Sequence, residues 1–380
     1  MPSTDTSSPG SDAAERGGRA VIEKGNILCY RVFDAGDTIA LDVAEGRLGA
    51  RRVEMGGPMF EGLVMPVRPL ELELGTCSIR FDGLDRTLHA HCTARIFEFG
   101  AISFLFDFTI EPGATLEVLT PLCDALYDAP ELDAEGLRAR GMLVERLGDS
   151  LEKPHQWREC ESYTIVYVER LSGTTVAQLG ESAQLAKLLL GETSPQSLST
   201  ATRTDVLRNS FSYLADDLVV IDWNSALVVE PSGSRVVPFV LELATSQLLA
   251  FRYYDGILEQ ELARVYDYVE KARTRILRSP YGALMRKVVR RFMELTEFTE
   301  RVDNTIKSVG DFYLARVYES ALGRFRVPEW RESVESKLGL IARAYELLKG
   351  EVEVSRAQLL EVIVVLLILV EVVAALRSHF

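Results

Sequence analysis

Apolar and polar positions alternate in short runs over the first two-thirds of the chain and take up a helical spacing after that. Ile27 to Phe33 is a run of β-forming residues, and a short amphipathic piece with Ile39, Leu41 and Val43 follows it. Residues 51–86 are rich in Gly and Pro and show no clear period. From Thr87 to Phe108 two β-rich runs flank Phe99-Gly100, which predicts a hairpin with glycine available for its turn. Beyond Pro112 and Gly113, the stretch TLEVLTPLCDALYDA has helical spacing, with the helix-breaking Pro121 near its middle. The same order then recurs. Tyr163–Val168 is a strand, Val176, Leu179, Ala183, Ala186 and Leu190 mark a helix, and Leu218–Asp222 and Ala226–Val229 flank Trp223-Asn224-Ser225. A helix begins at about Pro238. Strand, helix, hairpin, helix appears twice, a βαββα order that predicts two ferredoxin-like units.

From Pro238 onward the pattern is nearly all helical, interrupted at Ser279-Pro280 and at Val327-Pro328. Leu314, Val317, Tyr318, Ala321, Leu322 and Phe325 form one stripe, and Val334, Leu338, Ile341, Tyr345 and Leu348 another. Helices this long and this charged predict a stalk or an antiparallel coiled hairpin. The last stretch, Ala357 to Leu376, reads AQLLEVIVVLLILVEVVAAL. As a helix it would rise roughly 30 Å, the thickness of a bilayer's hydrocarbon core. Its Leu, Ile and Val residues supply roughly −4 to −8 kcal/mol of insertion free energy, and a central charge costs about 2.5–3.5 kcal/mol. Glu361 and Glu371 lie on one side of that helix, about 80° apart. They are expected to face other copies of the helix or to be protonated by desolvation, with Val362, Leu366 and Ile368 in the apolar run between them.

The expected architecture is therefore α+β: two ferredoxin-like βαββα units, a long helical hairpin or stalk, and a C-terminal hydrophobic, transmembrane helix. Residues 1–22 are expected as a disordered tail, 23–150 and 151–255 as the two α/β units, 256–355 as the stalk and 356–380 as the membrane helix. A net charge of −14 argues against a DNA or RNA surface and against broad attraction to anionic lipid heads. The cysteines Cys29, Cys77, Cys92, Cys123 and Cys160 are scattered without a CxxC pair and read as reduced thiols in a cytosol-like compartment. The N-terminal tail has no apolar run of a secretory signal.

Candidate chemistry is thin. His89, His91 and Cys92 are the best metal-like cluster, since His-x-His on a strand puts both rings on one face. Cys92 then points to the other face, His155 and Cys160 are the further soft partners, and a half-buried strand accounts for the pattern without a metal. Ser150 and Lys153 match a serine–lysine nucleophile spacing, with no second motif beside them. There is no GxGxxG, P-loop or HExxH. Arg286, Lys287, Arg290 and Arg291 form a basic cluster followed at once by Glu294, Glu297 and Glu300, the pattern of a solvated, salt-bridged helix face. Asp217, Asp222 and Trp223 surround a hairpin, where turn chemistry accounts for Asp and Asn. No catalytic residue, cofactor or metal is assigned.

Three stretches carry a resemblance. HAHCTARIFEFGAISF (His89–Phe104), with His91, Cys92, Thr93, Ala94 and Gly100, resembles a small-Tyr/His-Cys-Thr-Ala signature followed by an aromatic-Gly hairpin. LELATSQLLAFRYYDGILE (Leu241–Glu259) is similar to the helix after a second hairpin. DFYLARVYESAL, together with the terminal LEVIVVLLILVEVV, resembles an ending in which acidic residues bracket an apolar run. The family is the one called "required for meiotic nuclear division", and the match covers roughly residues 85 to 376; residues 115–215 depart from its spacing. The resemblance implies membrane attachment, self-association, and a tether linked to translation or membrane organisation, with no catalytic residue to carry over. Expected partners are membrane lipid, further copies of the chain, and a ribosome or another protein; DNA is not expected. With four residues beyond the apolar helix, the expectation is a tail anchor with its head in the cytosol or the equivalent matrix compartment. The alternative is a soluble enzyme or small-ligand binder, with its site between the two α/β units and the terminal helix buried.

Overall fold

A computed structural model describes residues 19–53, 68–271 and 312–344, together with Arg290, Met293, Thr296, Glu300 and Val364 as single helical positions. It divides into two compact units, Met1–Ala250 with Glu297–Pro328, and Phe251–Thr296 with Glu329–Phe380.

The first unit opens with strands β1 (Val21–Asp34) and β2 (Gly36–Ile39), helix α1 (Leu41–Leu48) and the two-residue β3 (Arg51–Arg52). Three long antiparallel strands follow, β4 (Leu70–Phe81), β5 (Arg86–Ile96) and β6 (Ala101–Thr109), then β7 (Ala114–Thr115). Helices α2 (Leu116–Tyr127) and α3 (Pro130–Leu147) lead to β8 (Leu151–Pro154) and the central β9 (Cys160–Ser172). Three short helices, α4 (Val176–Gly180), α5 (Ala183–Leu190) and α6 (Thr200–Val206), precede β10 (Ser210–Phe211), β11 (Leu218–Ile221) and β12 (Ser225–Val229). Helix α7 (Val236–Lys271) and helix α8 (Phe312–Arg324) complete the named elements.

The α+β class holds, but the strands expected in two separate units form one sheet, in the order β10-β11-β12-β9-β1-β6-β5-β4-β3. The join is β1 against β9, paired from Val21↔Ser172 to Phe33↔Cys160. Both strands are apolar on their two sides, so each needs a hydrogen-bonded neighbour on either edge, and each finds the other. Nor do the two halves repeat one topology. β6 runs antiparallel to β1, whereas β12 runs parallel to β9 after the crossover through α4, α5 and α6. Residues 181–182 divide the expected helix over 176–190 in two, and the Ser182 side chain caps α5 by accepting from the Gln184 amide.

One face of the sheet packs on α2, α3 and α5 through Ile27, Cys29 and Phe33 of β1, Phe104, Phe106 and Phe108 of β6, and Leu119, Leu126, Leu143 and Leu188. The other face carries the first turns of α7, where every residue from Val236 to Gln247 is buried. A helix hydrophobic all round at its start is what the sequence VVPFVLELA encodes.

In the second unit α7 continues from Phe251, and a further helix runs over 327–344. Arg331 stacks on Phe251, Ser333 and Lys337 bond Asp255 at 2.7 and 2.9 Å, and Lys337 reaches Glu259 at 3.5 Å. Partner numbers rise together, so these two helices run parallel to one another. Glu361, Val362, Leu366, Ile368 and Glu371, the residues of the expected membrane helix, lie outside the described residues. Among the described residues no helix is long and apolar enough to cross a membrane.

Candidate functional site

The signature residues of the resemblance sit on β5 and its turn into β6. Strand alternation sends Cys92 and Ala94 into the core with the sheet-covering helices, while His89 and His91 stand on the opposite, exposed side. The two histidines take different partners. His89 Nδ1 lies 2.8 Å from Ser78 Oγ, and His91 Nε2 lies 2.8 Å from Glu73 Oε2. Thr93 is buried in the sheet. Gly100 closes the β5–β6 turn at φ +87°, and a Cβ there would stand 1.9 Å from the Gly36 carbonyl oxygen. These residues are brought together by strand packing. Among the described residues no group of three or more His, Cys, Asp or Glu is arranged to hold a metal ion.

The cysteines correct the reading of five reduced thiols. Cys77 on β4 and Cys92 on β5 form a disulfide, with Cα atoms 6.5 Å apart and a sequence separation of 15. Cys29 and Cys123 are fully buried, and burial pushes the Cys29 thiol up to about 11 and Cys123 higher still. Burial likewise raises Cys160 to about 12.

Three charge centres hold the first unit. On the α7 side, Arg95 of β5 bonds Glu71 through Nε at 2.9 Å and Nη2 at 2.7 Å, pairs with Glu242 of α7, and lies over the Phe239 ring at 5.1 Å. Glu242 is fully buried; burial raises its carboxyl above the usual range while Arg95 opposes the rise. At the β11–β12 turn, Arg324 of α8 donates to Asp222 Oδ1 at 2.9 Å and to Asp205 Oδ2 at 3.1 Å. Asp222 is wholly buried beside the exposed Trp223, and Asp217 accepts from the Tyr213 amide at 2.7 Å, holding its turn. The pair of aspartates is thus turn and anchor.

The third centre joins β1, β2, β8 and α3. The ring of His155 lies between two carboxylates, Nδ1 at 2.6 Å from Asp34 and Nε2 at 2.8 Å from Asp37. Lys153 meets Asp37 at 3.1 Å, and Arg140 donates to the Asp34 carbonyl at 2.8 Å and the His155 carbonyl at 2.7 Å. Burial alone would lower the His155 pKa, but the hydrogen bond and charge of Asp34, then those of Asp37, outweigh it and raise it. Burial raises Asp34 against the pull of His155. With both ring nitrogens within hydrogen-bond distance of carboxylates, which favour the charged ring, the group ties β2 and β8 to the end of β1.

The serine–lysine spacing makes no nucleophile. Ser150 Oγ donates to the Leu147 carbonyl at 2.6 Å, and Lys153 is engaged by Asp37. Of the basic cluster, Arg290 is exposed on a helix, and Arg286, Lys287 and Arg291 lie outside the described residues. Sequence reasoning singled out neither Arg95 with Glu242 nor Asp34 and Asp37, because their partners are far away along the chain.

A family model described as "Uncharacterized protein MJ0711, N-terminal domain" matches residues 24–235, more than half of the chain. The chain belongs to that family. The matched range runs from within β1 to the residue before α7, so this single domain takes in both sets of strands. "Uncharacterized protein MJ0711" of Methanocaldococcus jannaschii is 24% identical over 234 residues, covering 60% of this chain and 70% of that protein. No solved structure matches the chain.

Proposed function

We propose that this chain is a non-enzymatic, self-associating scaffold or tether, with an α+β head and a membrane attachment supplied by its C-terminal apolar stretch. The observation that carries the reading is the composition of Ala357–Leu376, whose aliphatic content outweighs its two glutamates in transfer free energy. The head adds support of another kind. Several of its buried ionic groups are paired with counter-charges across strands and helices, as His155 with Asp34 and Asp37 or Arg324 with Asp222, which is the use of charge to fix a shape. The stretches similar to the "required for meiotic nuclear division" family extend the proposal to a partner, a ribosome or another protein, held near a lipid surface.

Fractionation of the full-length chain tests it. The protein should sediment with membranes at high speed, resist an alkaline carbonate wash, and enter the supernatant when detergent is added or when residues 356–380 are deleted. A full-length chain that stays in the high-speed supernatant without detergent would end the membrane reading.

A further inference from the structure

The Cys77–Cys92 pair lies at the open edge of the sheet. β4 is an outer strand: β3 pairs only with Leu70 and Glu71, and from Leu72 to Phe81 its outer side has no strand neighbour among the described residues. Within this open stretch the pairing with β5 slips by one residue between Glu73 and Gly75, leaving Leu74 as the extra position, and Gly75 takes φ +85°. A bulge of this kind weakens the ladder where it occurs. Cys77 lies two residues beyond it, half-buried, opposite Ala90, while Cys92 lies opposite Gly75. The disulfide therefore crosses the ladder diagonally, at the place where the backbone hydrogen bonds are irregular. Its Cα separation is within the ordinary range for such bonds.

We propose that Cys77–Cys92 is a reversible thiol–disulfide lock on the open strand β4: closed, it holds residues 72–81 in their bulged register on β5, and opened by a low-molecular-weight thiol it lets that strand loosen. The exchange balances in two steps. A thiolate of the small thiol attacks Sγ of the more accessible Cys77, breaking the protein S–S bond, forming a mixed disulfide and expelling Cys92 as thiolate. A second thiolate attacks the sulfur of the small molecule in that mixed disulfide and expels Cys77. Two protein thiolates take up protons from solvent, the protein disulfide has gained two electrons, and the small thiol leaves as its own disulfide. Cys29, Cys123 and Cys160 do not compete, because their raised pKa values keep them protonated and the thiolate is the reactive form.

The experiment uses the full-length folded chain, equilibrated against reduced and oxidised glutathione at a series of ratios. Free thiols are trapped by alkylation and mapped by mass spectrometry, and amide hydrogen exchange is followed in parallel. Cys77 and Cys92 should become alkylated together as the couple turns reducing, with the other three unchanged, and amides of 72–81 should exchange about tenfold faster or more once the pair opens. Cys77→Ser should exchange fast in both buffers. The proposal falls if the pair is alkylated even in oxidising buffer or stays closed in a strong dithiol. It falls equally if the pair opens with no change at 72–81, a result that wild-type protein delivers even where the variant does not fold.

Discussion

β1 and β4 are strands of similar length in one sheet, 14 and 12 residues, and they are built in opposite ways. β1 is hydrogen-bonded on both sides, by β6 and by β9, and from Ile27 to Asp34 it is buried almost throughout. β4 is bonded along its length on one side only, interrupted by a bulge, and exposed from Glu73 to Thr76. The centre is held by burial on both faces and by distant charge pairs; the edge is held by one ladder and one disulfide. Cost of substitution should therefore fall steeply from β1 and its immediate neighbours to β4.

The largest effect belongs to Gly100, whose turn docks on the chain just after β1. Gly100→Ala would drive a methyl to 1.9 Å from the Gly36 carbonyl oxygen, at a φ of +87°. A backbone-to-backbone clash has no rotamer to relieve it, so the variant should lose about 4 kcal/mol or more in urea unfolding, or fail to fold. Gly49→Ala is the control: φ is +66° but nothing lies within 4 Å, and about 1 kcal/mol is expected. Next comes Arg95→Met, which strands the fully buried Glu242 without a counter-charge at an expected cost of about 3–5 kcal/mol at pH 7. Because Glu242 already has a raised pKa when folded, protonation relieves it, and the deficit should shrink as the pH is lowered. Adding Glu242→Met to that variant should restore most of the loss.

His155→Gln gives a smaller effect with a distinctive pH dependence. The folded pKa of His155 is raised above its unfolded value, so its contribution is complete below the unfolded pKa, about 6.5. It is lost as pH rises through the raised folded value. Urea unfolding should show the wild type about 1–3 kcal/mol more stable than the variant at pH 6, with the difference shrinking as the pH rises through the raised folded value. A constant difference across that range would mean that the ring acts by shape alone.

The same contrast decides what could be read in the sequence. β1, β9, β11, β12 and the hairpin at Gly100 were legible because strands buried on both faces are continuous apolar runs. β4 was not, although LELEL alternates correctly at its start: the bulge at Gly75 reverses the phase, so that Cys77, Ile79 and Phe81 point the way Leu70 and Leu72 do. α3 escaped notice because Gly136 and Gly141 dilute its pattern, yet Gly136 is required where a Cβ would meet the Phe33 ring at 2.7 Å. The joining of β1 to β9 has no local signal, since either strand would accept any apolar neighbour. The charge centres were hidden by distance: His155 is 121 and 118 residues from its two aspartates, and Arg95 is 147 from Glu242.

At the far end of the scale is a hydrogen-bonded pair of the edge itself. His91 and Glu73 meet at 2.8 Å, a shorter contact than many in the centre, but their side chains are 56% and 50% exposed. Water already solvates both groups, so losing the pair exchanges one set of hydrogen bonds for another. Glu73→Gln should therefore change urea stability by less than about 0.5 kcal/mol, and added salt should abolish even that. A short distance predicts strength only where solvent is absent, as it is at Glu242. If Glu73→Gln instead cost more than about 1.5 kcal/mol, the edge would be sharing the work of the centre, and β4 could not be the strand that loosens when its disulfide opens.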